Sequence, residues 1–248
     1  MGEHRGFAHR EGRRRSGSLV AFDGRLVIRY PAYIEVGPGR RAQAYVFRFP
    51  GLDVEGETPE AVIASLAPAV PAEMAWLARH GVVSPLSGEP VEIEEVERID
   101  LGTDVSRGVW RGLFQYELRR TSDEDIETAI ERARFARADL LEAWGALGES
   151  ERAALGPRLA EHAREEWELL SRLGVRTRVQ MPDLPLERLQ FVRAQAESRF
   201  RNLLPGDRER LAVFDGEKWT TRKVLRCFGV GERRLLRSVT RGVTEAKA

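Results

Sequence analysis

Few residues in this chain are suited to chemistry. There are four histidines, His4, His9, His80 and His162, and one cysteine, Cys227. A three-imidazole metal site needs three neutral rings in reach of one ion. His4 and His9 lie near the N-terminus, His80 closes a predicted helix, and only His162 falls in the long helical second half. His162 and Glu166 are four apart and meet on one helix face. Two readings are open for the pair. One is a remnant metal ligand, or a histidine held by a carboxylate for proton transfer. The other is a surface or boundary ion pair worth about 0.3–0.5 kcal/mol. Cys227 is a candidate nucleophile if a cation such as Arg226 stabilises its thiolate. A lone cysteine on a helix is more often a small buried apolar residue. No phosphate loop, Gly-x-Gly-x-x-Gly fingerprint or serine elbow is present.

These residues must be positioned by a chain of 248 residues, 42% hydrophobic and 32% charged, which suits one large or two modest globular domains. No run of about 18 apolar residues is seen, so no membrane-spanning segment is expected. One cysteine excludes an intramolecular disulfide and a cysteine-cluster metal site. With no apolar signal core at the N-terminus, this points to the cytoplasm. The net charge of +1 supplies no global field for nucleic acid. Three of the 40 basic residues are lysines, so 37 are arginines, and clusters such as Arg13-Arg14-Arg15 and Arg233-Arg234 arise easily by chance.

Residues 1–18 read as a disordered basic tail. Leu26, Ile28, Tyr30, Ala32, Ile34 and Val36 share one strand face. Gly37-Pro38-Gly39 turns the chain, and Tyr45, Phe47 and Phe49 alternate in a second strand. Pro31 predicts a bulge or an edge position. Thr58-Pro59-Glu60 opens a helix with Val62, Ile63, Leu66, Val70, Met74 and Leu77 inward. Pro68 and Pro71 predict a kink or two short helices. Val91 and Ile93, and then Phe114, Tyr116 and Leu118, alternate as two further possible strands.

From residue 122 the period is helical. Ser122-Asp123-Glu124-Asp125 caps a helix with Ile126, Ile130, Ala133, Leu140, Leu141 and Trp144 on one face. A second helix covers about 149–173, with Leu155, Leu159, Leu170 and Leu173 inward, and Gly174 stops it. A third carries Leu189, Val192, Ala196, Phe200 and Leu203. Asp215-Gly216 marks a turn, and Thr220 caps a fourth helix with Val224, Phe228, Leu235 and Val239 inward. Glu232, beside Arg233 and Arg234, reads as a solvated face. Trp144, Trp167 and Trp219 read as core or junction anchors. Four such helices pack most simply as a bundle.

Two resemblances follow from particular residues. Tyr30-Pro31-Ala32-Tyr33-Ile34-Glu35, Tyr45-Val46-Phe47, Phe49-Pro50-Gly51-Leu52 and Gly56-Glu57-Thr58-Pro59-Glu60-Ala61 resemble the HicB antitoxin family. That resemblance implies a partly degenerate RNase-H-like fold that occludes a small partner ribonuclease; the family's usual DNA-binding module is not visible. Glu166-Trp167, Leu186-Glu187-Arg188-Leu189 and Asp215 to Arg226, with its Trp-Thr-x-Arg opening, resemble the DinB-like four-helix bundle superfamily. Its members commonly hold a divalent metal through one histidine on the second helix and two on the last, and several are thiol-dependent transferases or isomerases. The resemblance puts Cys227, Gly231 or Leu235 where the last helix would carry histidines. Gly and Leu cannot ligate. On the second helix the counterpart is His162 or its neighbour Glu161.

The fold expected is α+β: a small HicB-like strand and helix domain at 19–82, a connecting segment at 83–120, an all-α up-down four-helix bundle at 121–243 and a tail at 244–248. The function expected is a non-catalytic binding or dimerisation scaffold with a degenerate metal site and no cofactor. One alternative is a divergent metal- or thiol-dependent transferase or hydrolase with a pocket of Glu161, His162, Glu166 and Cys227, holding a divalent metal such as zinc. The other is a toxin-neutralising module. A homodimer is expected, with a small protein partner for the HicB-like unit.

Overall fold

A computed structural model describes residues 18–22, 25–82, 88–102, 112–174 and 180–246. The tail expected at 1–18 lies outside them, apart from Ser18. The chain is mixed α+β and divides into two units, Met1–Phe114 and Gln115–Ala248. The segment expected to connect two domains is therefore itself shared between them.

The first unit holds one sheet. Its strands are β1 (Ser18–Phe22), β2 (Arg25–Val36), β3 (Ala42–Tyr45), β4 (Asp53–Gly56) and β5 (Val91–Asp100). β2 is the centre: β1 and β3 pair with it antiparallel and β5 parallel, while β4 pairs antiparallel with β3. The predicted inward face of β2 is buried at Ile28, Tyr30, Ala32, Ile34 and Val36. Pro31 is not on an edge strand. It sits between the stretch paired to β1, which ends at Arg29, and the stretch paired to β3, which begins at Tyr33. Its missing N–H therefore interrupts neither ladder. The predicted bulge falls beside it, where the β5 register shifts between Ala32 and Tyr33.

The second strand expected through Phe49 stops at Tyr45, and residues 47–51 turn. Tyr33, Phe47 and Phe114 instead form an aromatic cluster, with ring centroids 4.4–5.7 Å apart. Of the three rings only Phe47 comes from the turn, which carries it off the strand path and onto Tyr33 of β2 and Phe114.

Helix α1 (Pro59–Arg79) begins as predicted, with Thr58 Oγ1 accepting from Ala61 N–H at 3.1 Å. It is one helix, not two. Pro68 and Pro71 lie inside it and face outward. Each proline costs a helix interior about 3 kcal/mol. Burying Val62, Leu66, Val70, Met74 and Leu77 contributes on the order of 10 kcal/mol. The burial outweighs the cost of the two prolines. By length and composition α1 could cross a membrane, with a mean hydropathy of 1.5; its alanines and larger aliphatic residues supply that value, while Ser65, Pro68, Pro71 and Glu73 interrupt the apolar run. It packs on β3, β4 and β5.

The second unit is helical. Phe114, Tyr116 and Leu118 do not form the expected strand, because Gln115–Leu118 is a 3-10 turn. The helices are α2 (Asp123–Gly145), α3 (Glu149–Ser171), α4 (Pro185–Arg201) and α5 (Thr221–Ala246). The last runs through part of the tail expected at 244–248. α2 packs on α5 and α4, and α3 packs on α4 and α5. Ser122 and Asp125 form a full capping box. The Asp215-Gly216 turn closes a small hairpin, β6 (Ala212–Phe214) with β7 (Glu217–Trp219), with φ of 52° and 80° at its two central residues. Leu141, expected inward, is exposed, and Leu155, Trp144 and Trp167 are half-buried. Leu140 takes the inward place next to Leu141.

Replacing both prolines of α1, as P68A/P71A, is expected to stabilise the chain by roughly 1–3 kcal/mol in urea unfolding. The restored helix hydrogen bonds are partly offset by a freer unfolded chain. A loss of stability would show that the proline rings make contacts the helix needs.

Candidate functional site

Each of the four packed helices carries a buried apolar stripe, and each stripe is interrupted by charge. On α2 it runs Ile130, Ala133, Arg137, Leu140. On α3 it runs Leu159, Ala163, Glu166, Leu170, with His162 beside it. On α4 it is Leu189, Arg193, Ala196, Phe200, and on α5 it is Val224, Phe228, Glu232, Leu235, Val239. All of these side chains are buried. Spacings of three and four keep every charged residue on the inward face of its helix. Packing then brings five of them into one cluster.

Glu232, 1% exposed, is its centre. Oε1 accepts from Arg137 Nε at 2.6 Å, and Oε2 accepts from Arg193 Nη2. Arg137 lies 5.3 Å over the Phe228 ring and donates through Nη1 to Glu197 Oε1 at 2.6 Å. Glu197, at the margin, also takes Arg134 at 2.6 Å. On α3, His162 Nε2 and Glu166 Oε1 are 3.0 Å apart. The pair read from the sequence as a remnant or a boundary contact is buried.

The protonation states follow from the geometry. Burial alone pulls the His162 imidazole down, but Glu166, with help from Glu165 and Glu232, overrides it and raises the pKa to about 9. Burial pushes Glu166 up, but His162, Arg193 and Arg137 together hold it below the usual carboxylate range. Burial raises Glu232, against the pull of Arg193 and Arg137. Both of its oxygens already accept from guanidinium groups, which keeps it a carboxylate at neutral pH. Arg137, Arg193 and His162 are then matched in charge by Glu166, Glu197 and Glu232.

Three buried polar atoms of the cluster have no partner: Glu166 Oε2, Arg137 Nη2 and Arg193 Nε. These are one acceptor and two donors. A buried water that donates to the carboxylate and accepts from a guanidinium would serve groups of both kinds.

His162, Glu166 and Glu232 each offer a donor atom within 4.8 Å of the others. One imidazole and two carboxylates suit a first-row divalent ion by type. Electrostatics opposes it. Both oxygens of Glu232 already hold guanidinium groups, and a dication about 5 Å from a guanidinium is repelled by roughly 7 kcal/mol at an effective dielectric of ~20. The donor set therefore fits a metal in kind and not in charge while both arginines are in place.

The other sequence candidates lie apart. Glu161 is exposed and lies 3.8 Å from Arg164. Cys227 is fully buried but is not among the converging donors, and Gly231 and Leu235 are buried on either side of Glu232. Glu232 is not on a solvated face. Its sequence neighbours suggested one, but its place in the stripe Val224, Phe228, Glu232, Leu235, Val239 was the usable signal. Arg137 and Arg193 carried the same signal and were missed for the same reason.

The Trp-Thr-x-Arg segment has structural work. Thr220 Oγ1 accepts from Lys223 N–H at 3.2 Å, capping α5. Arg222 reaches the Arg120 carbonyl at 2.6 Å and Asp125 Oδ2 at 2.5 Å. Lys223 Nζ lies 4.2 Å from the Trp219 ring centroid and donates to the Lys218 carbonyl at 3.1 Å. Burial pushes the Lys223 amine below its usual range.

Because His162 is raised in the folded chain, its contribution to stability is complete below about pH 6.5 and is lost as pH rises through about 9. The loss is about 3 kcal/mol. Urea unfolding between pH 6 and 10 is expected to show that decline, and His162→Gln to flatten it. Arg193→Met, which strands one buried carboxylate oxygen, is expected to destabilise by about 3–5 kcal/mol at pH 7. A cost under 1 kcal/mol would mean that Glu232 is protonated or hydrated.

No protein-family model, no curated protein and no solved structure matches the chain.

Proposed function

We propose that the chain is a non-catalytic binding or dimerisation scaffold, with a DinB-like four-helix bundle in its second half and a HicB-like partner surface in its first. The observation that carries this reading is Glu232 held on both oxygens by Arg137 and Arg193. A site poised for chemistry leaves a ligand position or a titratable group open to substrate. Here the charges answer one another inside the core. Cys227 is fully buried, which argues against a thiol attacking an external substrate.

The strand order supports the reading of the first half. β2, β3 and β4 run antiparallel in succession, α1 follows, and β5 returns parallel to β2. This order is compatible with the partly degenerate RNase-H-like unit that the resemblance implies. Its expected occupant is a small protein partner. Helix-mediated homodimers are expected of the second half.

A metal-dependent enzyme is the second reading. One observation favours it: Glu166 Oε2 is buried without a partner next to His162, in a donor set that converges. Elemental analysis of freshly purified full chain separates the two. The scaffold reading expects well under one divalent ion per chain and a dimer in sedimentation equilibrium. One tightly held ion per chain, lost in His162→Gln, would overturn it in favour of the enzyme.

A further inference from the structure

We infer that the guanidinium groups of Arg137 and Arg193 take the electrostatic part of a divalent cation, so that His162, Glu166 and Glu232 form a metal site closed by the chain's own charges. This rests on the reading of the second half as a scaffold with a replaced metal centre, and it adds how the replacement works.

Two guanidinium groups carry the same charge as one dication. They meet the same carboxylate, Glu232, one on each oxygen. They come from two helices, α2 and α4, that supply none of the converging donors. The donors come from α3 and α5, and the three atoms already lie within 4.8 Å of one another. Ligands of one ion at bonds of about 2.0–2.2 Å lie roughly 3–3.6 Å apart, so side-chain adjustment of about an ångström would close the set. His162 can ligate only after losing its proton, and the Glu166 oxygen without a partner already offers a lone pair. The obstacle is charge. Removing the guanidinium groups leaves two buried carboxylates facing one imidazolium, and a first-row divalent ion is the species that would restore the balance.

The experiment uses the full chain and Co2+ as an optical probe, with Zn2+ competition. Wild type is expected to bind Co2+ weakly, and R137M/R193M at least 100-fold more tightly. The gain should vanish when His162→Gln or Glu232→Gln is added. Added metal should also raise the unfolding temperature of R137M/R193M and leave that of wild type unchanged. If the double variant folds only with metal, that supports the inference. If it folds under neither condition, Arg193→Met alone decides: about a 10-fold gain supports the inference, and no gain overturns it. R137K/R193K, which keeps both charges, is expected to stay closed to metal. A metal-free wild type whose double variant gains nothing overturns this inference and leaves the scaffold standing. Stoichiometric metal on wild type overturns both.

Discussion

A carboxylate inside an apolar helix core must meet positive charge or take up a proton, and Glu232 meets positive charge on both oxygens. Removing one partner from such a pair costs about 3–5 kcal/mol, because a charge is left buried without compensation. Much of the helical unit's arrangement depends on that condition. Arg137 is on α2, Arg193 on α4 and Glu232 on α5, so one carboxylate fixes three helices in register. A slip of one turn, about 5.4 Å, would leave the apolar stripes nearly as well packed and would break both bonds. Leucines and alanines set the packing, and the charged layer selects one alignment.

The cluster has an inner and an outer part. Outside, Arg134, Arg201 and Glu197 exchange half-exposed contacts that solvent screens, and these contribute little. Inside, Glu166 and Glu232 repel each other, and His162 on one side and the arginines on the other hold both ionised. His162 thus belongs to the same network as Arg137 and Arg193, although it touches neither directly in the bonds described. Its proton is as much a structural charge as theirs, with the difference that it can leave.

Much of this was legible in the sequence, and the omission has a physical cause. The strand face of β2, the caps at Thr58, Ser122 and Thr220, the stop at Gly174 and most of the helix stripes follow from periodicity and turn chemistry. His162 and Glu166 stood out because histidine is rare here. Arg137, Arg193 and Glu232 did not, because 37 arginines make any one of them unremarkable and Glu232 has two as neighbours. Residue type suggested solvent while stripe position indicated the core, and position was the better guide. It identifies each of them from its own helix. What it cannot give is which charged residue on one helix meets which on another, since that needs the packing. Phe47 and Phe49 failed the other way: their short alternation suggests a strand, but Phe47 joins Tyr33 and Phe114 while Phe49 packs against Tyr30.

A metal and a pair of arginines balance a buried carboxylate by different means. A bound ion must be captured from solution, so its stabilisation varies with its concentration and with the protonation of its ligands. Guanidinium groups are part of the chain, remain charged at any ordinary pH, and stabilise without a partner in solution. They cost about 2 kcal/mol of side-chain entropy each, and they occupy volume that a ligand would otherwise use. A core built this way gives up an open coordination position for a charge balance that does not depend on its surroundings. Only His162 remains able to change state, and it does so in a range where its release would leave Glu166 without its nearest cation. The charge balance of the cluster then depends on pH through His162, in the alkaline range.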